Sequence, residues 1–338
     1  MKYPGIAISF VIPTYNRREL LERSLPLLLG QRTDGLFRYE VIFVSNGSPD
    51  STAEFLSPIA AAHPERLRFF EIQPTGGPSG PRNTGIRQAR GEVVLIIDDD
   101  VVPHEDMALA HWRFHREHPE PHHAALGEVY VPEELLDDPM SLFHTFPYDE
   151  VRARDRLHYV HFWTCNLSVK RSFMLEHGMF DEYMLYFEDI LTGFRLHRAG
   201  MHLHFLPEAR GRHLHKLAPS GVASKGRFTG RWLYDFVERL PTPEVKHRFG
   251  IFSRDVPVSW LAKKIANRIA FRSIDNRVTH ALLRALGAED GSRSRVSDLY
   301  YYLIFRRNML AGYYERRGER RRERTAAADQ ARLLLETK

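Results

Sequence analysis

Cysteine is almost missing: Cys165 is the single one among 338 residues. No intrachain disulfide can form, and a zinc cluster is not expected. Long apolar runs are missing too. None approaches the roughly 18 residues that would suggest a bilayer-spanning helix. The opening MKYPGIAISFVIPTYN has a short apolar stretch and no small-residue cleavage site, so it is not read as a signal peptide. Neither a G-x-G-x-x-G fingerprint nor a Walker loop occurs, which takes weight from dinucleotide oxidoreductases and P-loop enzymes. Charge of one sign is in small excess, with Lys+Arg 48 against Asp+Glu 43, a net +5 and a pI of about 9.2. Much of that excess lies in ERRGERRRER, residues 315–324, the pattern of a solvated helix face or a frayed tail. A basic balance can favour phosphates or an anionic membrane surface. No nucleic-acid motif accompanies it, so nucleic acid is not an expected partner. Together these features predict a cytoplasmic protein.

What is present is an ordinary globular composition, 43% hydrophobic and 27% charged, long enough for one large domain or two smaller ones. The first hundred residues repeat one pattern. Strands are predicted over 6–12, 39–44, 67–72 and 93–97, and helices over 17–29, 51–62 and 81–90. Strands alternating with helices across short turns mean βαβ units and a parallel sheet. Beyond that the pattern is mixed: a helix near 111–118, a strand over 161–169, and a helix closing at Gly200 as its C-cap. The stretch LAPSGVASKGRFTG, 217–230, is rich in Gly and Ser and reads as mobile, a candidate lid over a bound donor. From 231 onward the chain reads as mostly helical.

Chemistry collects at the predicted strand ends. Asp98, Asp99 and Asp100 follow the apolar run Val93-Val94-Leu95-Ile96-Ile97. Three carboxylates at the carboxyl end of a buried strand are costly unless a cation or donors sit there. Open α/β sheets bind ligands at that edge. Gly76 to Asn83 is a Gly-rich turn before a helix, where backbone amides can approach an anion and Arg82 can add a charge-assisted contact. Its plain reading is a loop capped by Ser79. Glu188-Asp189 opens the helix FEDILTGFRLHRAG, whose dipole would hold a general base ionised or simply gain stability from the carboxylates. His213 and His215 follow, and an imidazole with carboxylates suits Mn²⁺, whereas Mg²⁺ keeps more oxygen ligands.

Four ordered segments carry a resemblance: SFVIPTYNRRELLERSL, YEVIFVSNGSPDST, GPRNTGIRQARGEVVLIIDDD, and GMFDEYMLYFEDILTGFRLHRAG with the later histidine. Over residues 9–215 the chain resembles the inverting family-2 glycosyltransferases of GT-A fold. The resemblance implies an α/β, Rossmann-like, parallel-core sheet with a helical C-terminal extension. It implies a catalytic domain over 1–230, with a nucleotide-binding half to about 106, an acceptor half over 107–216 and the mobile loop 217–230. Residues 231–338 would be a basic helical region. A nucleoside-diphosphate sugar, UDP by default, would be held by Pro13, Thr14, Tyr15, Asn16, Arg17, Asn46, Gly77, Arg82, Asn83, Asp98 and Asp99. Asp100, Asp98 and His213 would hold a divalent cation, Mn²⁺ or Mg²⁺, with His215 competing for the histidine's role. Asp189 would be the catalytic base with Glu188 second in line, and Trp163 and Asn166 would line the acceptor side. Ser45-Asn46 stands where many relatives have two aspartates.

The implied reaction is single displacement onto a hydroxyl of a saccharide, lipid-linked or other acceptor, in polysaccharide, glycolipid or other glycoconjugate synthesis. A non-catalytic sugar-nucleotide sensor and a sugar nucleotidyltransferase are the competing readings; the latter would carry a Gly-rich basic loop where this chain has PTYNR. Segments 260–272 and 300–307 mix apolar and basic residues at helical spacing. Such helices can lie peripherally on the inner face of a membrane, or pack on the catalytic domain or a second copy in a homodimer.

Overall fold

The computed structural model describes residues 5–152, 154, 156–214, 217–240, 242–249 and 258–336. The elements are β1 (Ile6–Thr14), α1 (Arg18–Leu29), β2 (Arg38–Ser45), α2 (Thr52–Ala62), β3 (Leu67–Glu71), α3 (Ser79–Gln88), β4 (Val93–Ile97), β5 (Val101–Pro103), α4 (Met107–Glu117) and β6 (His123–Tyr130). They continue with α5 (Asp149–Arg152), β7 (Asn166–Lys170), α6 (Arg171–His177), α7 (Glu188–Arg198), β8 (His202–His213), α8 (Val222–Arg239), α9 (Pro243–Arg248), α10 (Val258–Ile274), α11 (Arg277–Ala285) and α12 (Arg295–Glu336). Two compact units result: Met1–Leu136 with Phe143–Lys216, and Asp137–Leu142 with Leu217–Lys338.

The first unit is built on an eight-stranded sheet of order β3-β2-β1-β4-β7-β6-β8-β5. β1 pairs in parallel with both β2 and β4, and β2 with β3. These strands are apolar on both faces because helices cover both sides. Phe10, Ile42, Phe43 and the whole of β4 are buried in one continuous core. The chain leaves β1 first toward β2 and later returns to β4 on the other flank. That reversal opens a crevice at the carboxyl ends of β1 and β4, where Asp98 begins the loop after β4. The second half of the sheet is mixed. β7 runs antiparallel to β4 and β6, β6 is parallel to β8, and β5 is antiparallel to β8.

Three local expectations are corrected. The strand predicted over 161–169 starts only at Asn166; Tyr159–His161 is a 3₁₀ turn and the Trp163 indole N–H donates to Val160 O at 3.0 Å. Helix α3 starts at Ser79, not 81, and the Ser79 hydroxyl does not cap it but reaches Met184 O at 3.5 Å.

The third correction concerns 217–230. In place of a mobile loop, Pro219–Gly221 is a 3₁₀ turn and α8 runs on from Val222. The glycines there serve close packing within the second unit. A Cβ on Gly226 would meet Phe305 O, one on Gly230 would collide with Met309 O, and Gly312 of α12 approaches Arg227 O in the same way. Glycine in a helix costs about 1 kcal/mol in propensity, and here it lets two backbones meet. The arginine run is not simply solvated either. Arg231 and Glu319 pair through both guanidinium nitrogens at 2.8 and 2.9 Å, Arg316 and Arg320 share Asp235, and Arg324 pairs with Glu238. The spacing of α8 and α12 is thus set by glycine and their register by charge.

Candidate active site

Each strand end contributes a short, tethered loop. The backbone after β1 passes through Asn16 in the left-handed region, at φ 55°. It is held by three carboxylate or hydroxyl acceptors: Tyr15 N–H donates to Asp99 at 3.3 Å, Asn16 N–H to Ser48 Oγ at 3.2 Å and Arg18 N–H to Asp50 at 3.0 Å. Arg17 lies 3.6 Å from Asp99. Pro13 and Thr14 are buried at the end of β1, and Tyr15 stands out at 55% exposure. Asp99 therefore organises the loop in which Tyr15, Asn16 and Arg17 are presented. Burial and the neighbouring Asp100 charge push its pKa up to about 7, against the pull of Arg17.

Asn46 is occupied by Thr75 and the Gly77 carbonyl. Its Oδ1 accepts from Thr75 N–H at 2.9 Å and Thr75 Oγ1 at 3.1 Å, while its Nδ2 donates to Gly77 O at 3.2 Å. An aspartate here could accept but not donate. The amide thus shapes the loop before α3. Asn83, expected beside the donor, is likewise spent: its Nδ2 donates to Phe180 O and Glu182, and its Oδ1 accepts from Phe180 N–H at 2.9 Å. It fastens α3 to the segment leading into α7.

Arg82 is the centre of the arrangement. Only 4% exposed, it donates from Nη1 to Glu188 at 2.6 Å and from Nη2 to Asp98 at 2.9 Å, with its guanidinium 5.5 Å from the Phe180 ring centroid. One cation thereby joins the starts of α3 and α7 to the end of β4. Asp98 keeps 33% of its side chain open to solvent, and Glu188 is buried. Phe187, just before Glu188, has φ 64°, a strained backbone for a non-glycine residue. Asp189 accepts from Ile190 N–H at 2.7 Å. Burial and the Glu188 charge raise its pKa to about 8 despite Arg82. Against the expectation of a base held ionised by the helix dipole, loss of hydration beside Glu188 favours the neutral acid.

His213 ends β8 opposite Val101, so the register brings it to the residue preceding β5. Its Nε2 lies 3.3 Å from Asp100 Oδ1, its Nδ1 donates to His144 O at 3.0 Å, and Leu214 N–H donates to Asp100 O. Burial disfavours the imidazolium, but the bond and charge of Asp100 outweigh it and raise its pKa. The buried oxygen–nitrogen pair Asp100 and His213 fits a divalent cation, and the Asp98 oxygen not facing Arg82 is a further candidate ligand. His215 lies outside the described residues.

Two expected acceptor residues are core residues instead. Trp163 is 6% exposed and packed among Phe146, Tyr148 and His161. Asn166 is fully buried, bonded to His111 at 2.9 Å and Ala209 O at 2.8 Å. Neither offers an open face to a sugar. The structural ties that sequence patterning missed are Ser48 and Asp50 under the first loop, Glu182 on Asn83, and the His144 carbonyl behind His213. A carbonyl leaves no mark in a sequence. Asp50 and Ser48 do stand in the polar turn after β2.

Comparison with known proteins matches this architecture. The glycosyl transferase family 2 model matches residues 9–175. The chain is 29% identical over 242 residues to the uncharacterized glycosyltransferase YfnE of Bacillus subtilis (strain 168), covering 57% of this chain and 61% of that protein. It is 30% identical over 226 residues to validoxylamine A glucosyltransferase of Streptomyces hygroscopicus subsp. jinggangensis, covering 57% and 52%. The matches thus span between half and two-thirds of these curated relatives. Among solved structures, the mannosyltransferase PcManGT from Pyrobaculum calidifontis, in complex with GDP-Man and Mn²⁺, aligns at TM-score 0.56 and 18% identity over 92% of this chain and 88% of its own. The fold is GT-A, and the matched segment, residues 9–175, places that part of the chain in glycosyl transferase family 2.

Proposed function

We propose that this chain is an inverting, divalent-cation-dependent transferase that moves a sugar from a nucleoside-diphosphate sugar, UDP-linked by default, to an acceptor hydroxyl. The observation that carries the reading is the convergence on one sheet edge of the Asp100–His213 pair and the Arg82-bridged Glu188 and Asp98, with Asp189 next to Glu188. A cation at Asp100, His213 and Asp98 would neutralise charge on the departing diphosphate. The solved relative PcManGT, which holds GDP-Man and Mn²⁺, supports the same pairing of ligand and metal.

In this reading the loop of Tyr15, Asn16 and Arg17 meets the nucleotide, while the missing side chain of Gly77 makes room for Leu185. Arg82 pairs with Glu188 and fixes the start of α7. Asp189, as a carboxylate, takes the proton from the acceptor hydroxyl while that oxygen attacks the anomeric carbon opposite the diphosphate. The bond to the diphosphate breaks with its electron pair, and the product has inverted configuration. A base titrating near 8 is well matched to this proton transfer at mildly alkaline pH.

The test is a thermal-shift screen of UDP-, GDP-, dTDP- and CDP-sugars with and without Mn²⁺, followed by NMR of the product anomer. A metal-dependent shift for one base and an inverted product are expected. Retention of configuration would overturn the mechanism, and binding without turnover of donor would favour a sensor. For a lipid-linked acceptor, α10 supports peripheral contact with an anionic membrane: Ile265, Ile269 and Ile274 are exposed on a helix that also carries Arg268 and Arg272. Failure to float with anionic vesicles at low salt would remove that part.

A further inference from the structure

A second cluster of chemistry lies at the other edge of the sheet. His118 follows the end of α4, His122 and His123 open β6, and His202 and His204 open β8. β6 and β8 are parallel neighbours, with His123 opposite His202. β8 then runs its whole length before it reaches His213. At about 3.3 Å per residue the two histidine sites are tens of ångströms apart.

The ligand atoms of His118, His123 and His204 lie within 4.8 Å of one another, and so do those of His122, His123 and His202. The first set is better prepared. His118 Nδ1 is 3.0 Å from Phe114 O and donates to it, which turns the Nε2 lone pair outward. His123 Nδ1 and His204 Nε2 are 3.0 Å apart, with one proton to share. Two nitrogens on one tetrahedral zinc, at bonds of about 2.0–2.1 Å, sit about 3.3 Å apart. The pair already has nearly that spacing. Glu120 lies 3.8 Å from the other nitrogen of His123, a place from which a carboxylate orients a ligating imidazole. In the second set, the Arg156 guanidinium sits 2.6 Å from the ring nitrogens of His202, a cation where a metal would have to bind.

We propose that His118, His123 and His204 form a three-imidazole site for a transition-metal cation, zinc foremost, that ties the end of α4 to the openings of β6 and β8. An all-imidazole set suits zinc, copper or nickel rather than the harder magnesium or calcium. The scarcity of cysteine does not bear on it, because no thiolate is used.

The experiment uses the untagged 338-residue chain, stripped by chelator and titrated with Zn²⁺ alone, and separately with Co²⁺ read by visible absorption. D100N disables the cation site proposed at Asp100, and in that background one equivalent of zinc should bind, raise the thermal midpoint and displace cobalt from a tetrahedral spectrum. Added to D100N, H118Q and H204Q should each weaken zinc binding more than about tenfold and lose the cobalt bands, while H202Q leaves both as they are in D100N. Unchanged zinc affinity on adding H118Q and H204Q would overturn the proposal, as would failure of D100N to bind zinc. X-ray absorption on zinc-loaded D100N needs no histidine variant to fold: three imidazoles support the site, fewer refute it.

Discussion

Arg82→Met tests how the catalytic edge is held together. The guanidinium is buried and meets Glu188 at 2.6 Å and Asp98 at 2.9 Å. Methionine keeps most of the volume and removes the charge, so two carboxylates lose their cation while Asp189 stays beside them. Removing one partner of a buried pair costs about 3–5 kcal/mol, because the remaining charge is stranded. For a unit of this size each kcal/mol moves the melting temperature by roughly 2–4 °C, so a fall of about 6–20 °C is expected at pH 7.5. Adding Glu188→Gln to Arg82→Met should restore part of the stability, a coupling of about 1–3 kcal/mol in a double-mutant cycle. Arg82 also lowers the pKa of Asp189, so residual turnover should move to higher pH. Urea unfolding and a pH–rate profile measure both effects. A loss below about 1 kcal/mol with an unshifted profile would refute the bridging role.

Asp189→Asn should nearly abolish transfer while nucleotide binding persists, as read by turnover and thermal shift; in the parent, turnover should rise with pH through about 8 as the base ionises. Because Asp189 titrates near 8 folded against 3.8 ordinarily, the folded chain holds the extra proton between those values. Its contribution to stability therefore falls as pH rises across that window, and Asp189→Asn should flatten that part of the melting profile. Chelation, or Asp100→Asn, should cut turnover by at least about 100-fold, on the order of 3 kcal/mol of transition-state stabilisation, and excess Mn²⁺ should rescue only the chelated parent. Gly230→Ala should destabilise by about 1–3 kcal/mol through overpacking against Met309, whereas Gly318→Ala, whose Cβ meets only the end of Arg322 at 3.6 Å, should stabilise by up to about 1 kcal/mol; calorimetry separates the two signs.

Much of the site was legible because its carriers are local. A five-residue apolar run ending in three aspartates marks β4 and its loop, and Glu188-Asp189 at a helix start marks α7. What was not legible is which polar groups are already spent. Asn46, Asn83 and Asn166 have the donors and acceptors a sugar nucleotide would want, yet each bonds to protein segments distant in the chain. The same holds for Trp163, whose flat ring suits a sugar but packs in the core. Glycine misled in a related way: composition cannot distinguish a hinge from a close helix crossing, and Gly226 and Gly230 belong to the crossing.

Periodicity along the chain is enough for the alternating strands and helices of the first hundred residues, the parallel pairing they impose, and the carboxylates delivered to one edge. These follow from periodicity and from chain connectivity, which act over a few residues. It takes the folded chain for Arg82 to bridge Asp98 and Glu188, for β8 to return His213 to Asp100, and for His118, His123 and His204 to meet at the far edge. Each of those depends on strand register and on helices docked from distant parts of the chain, and no local pattern encodes a distance between them.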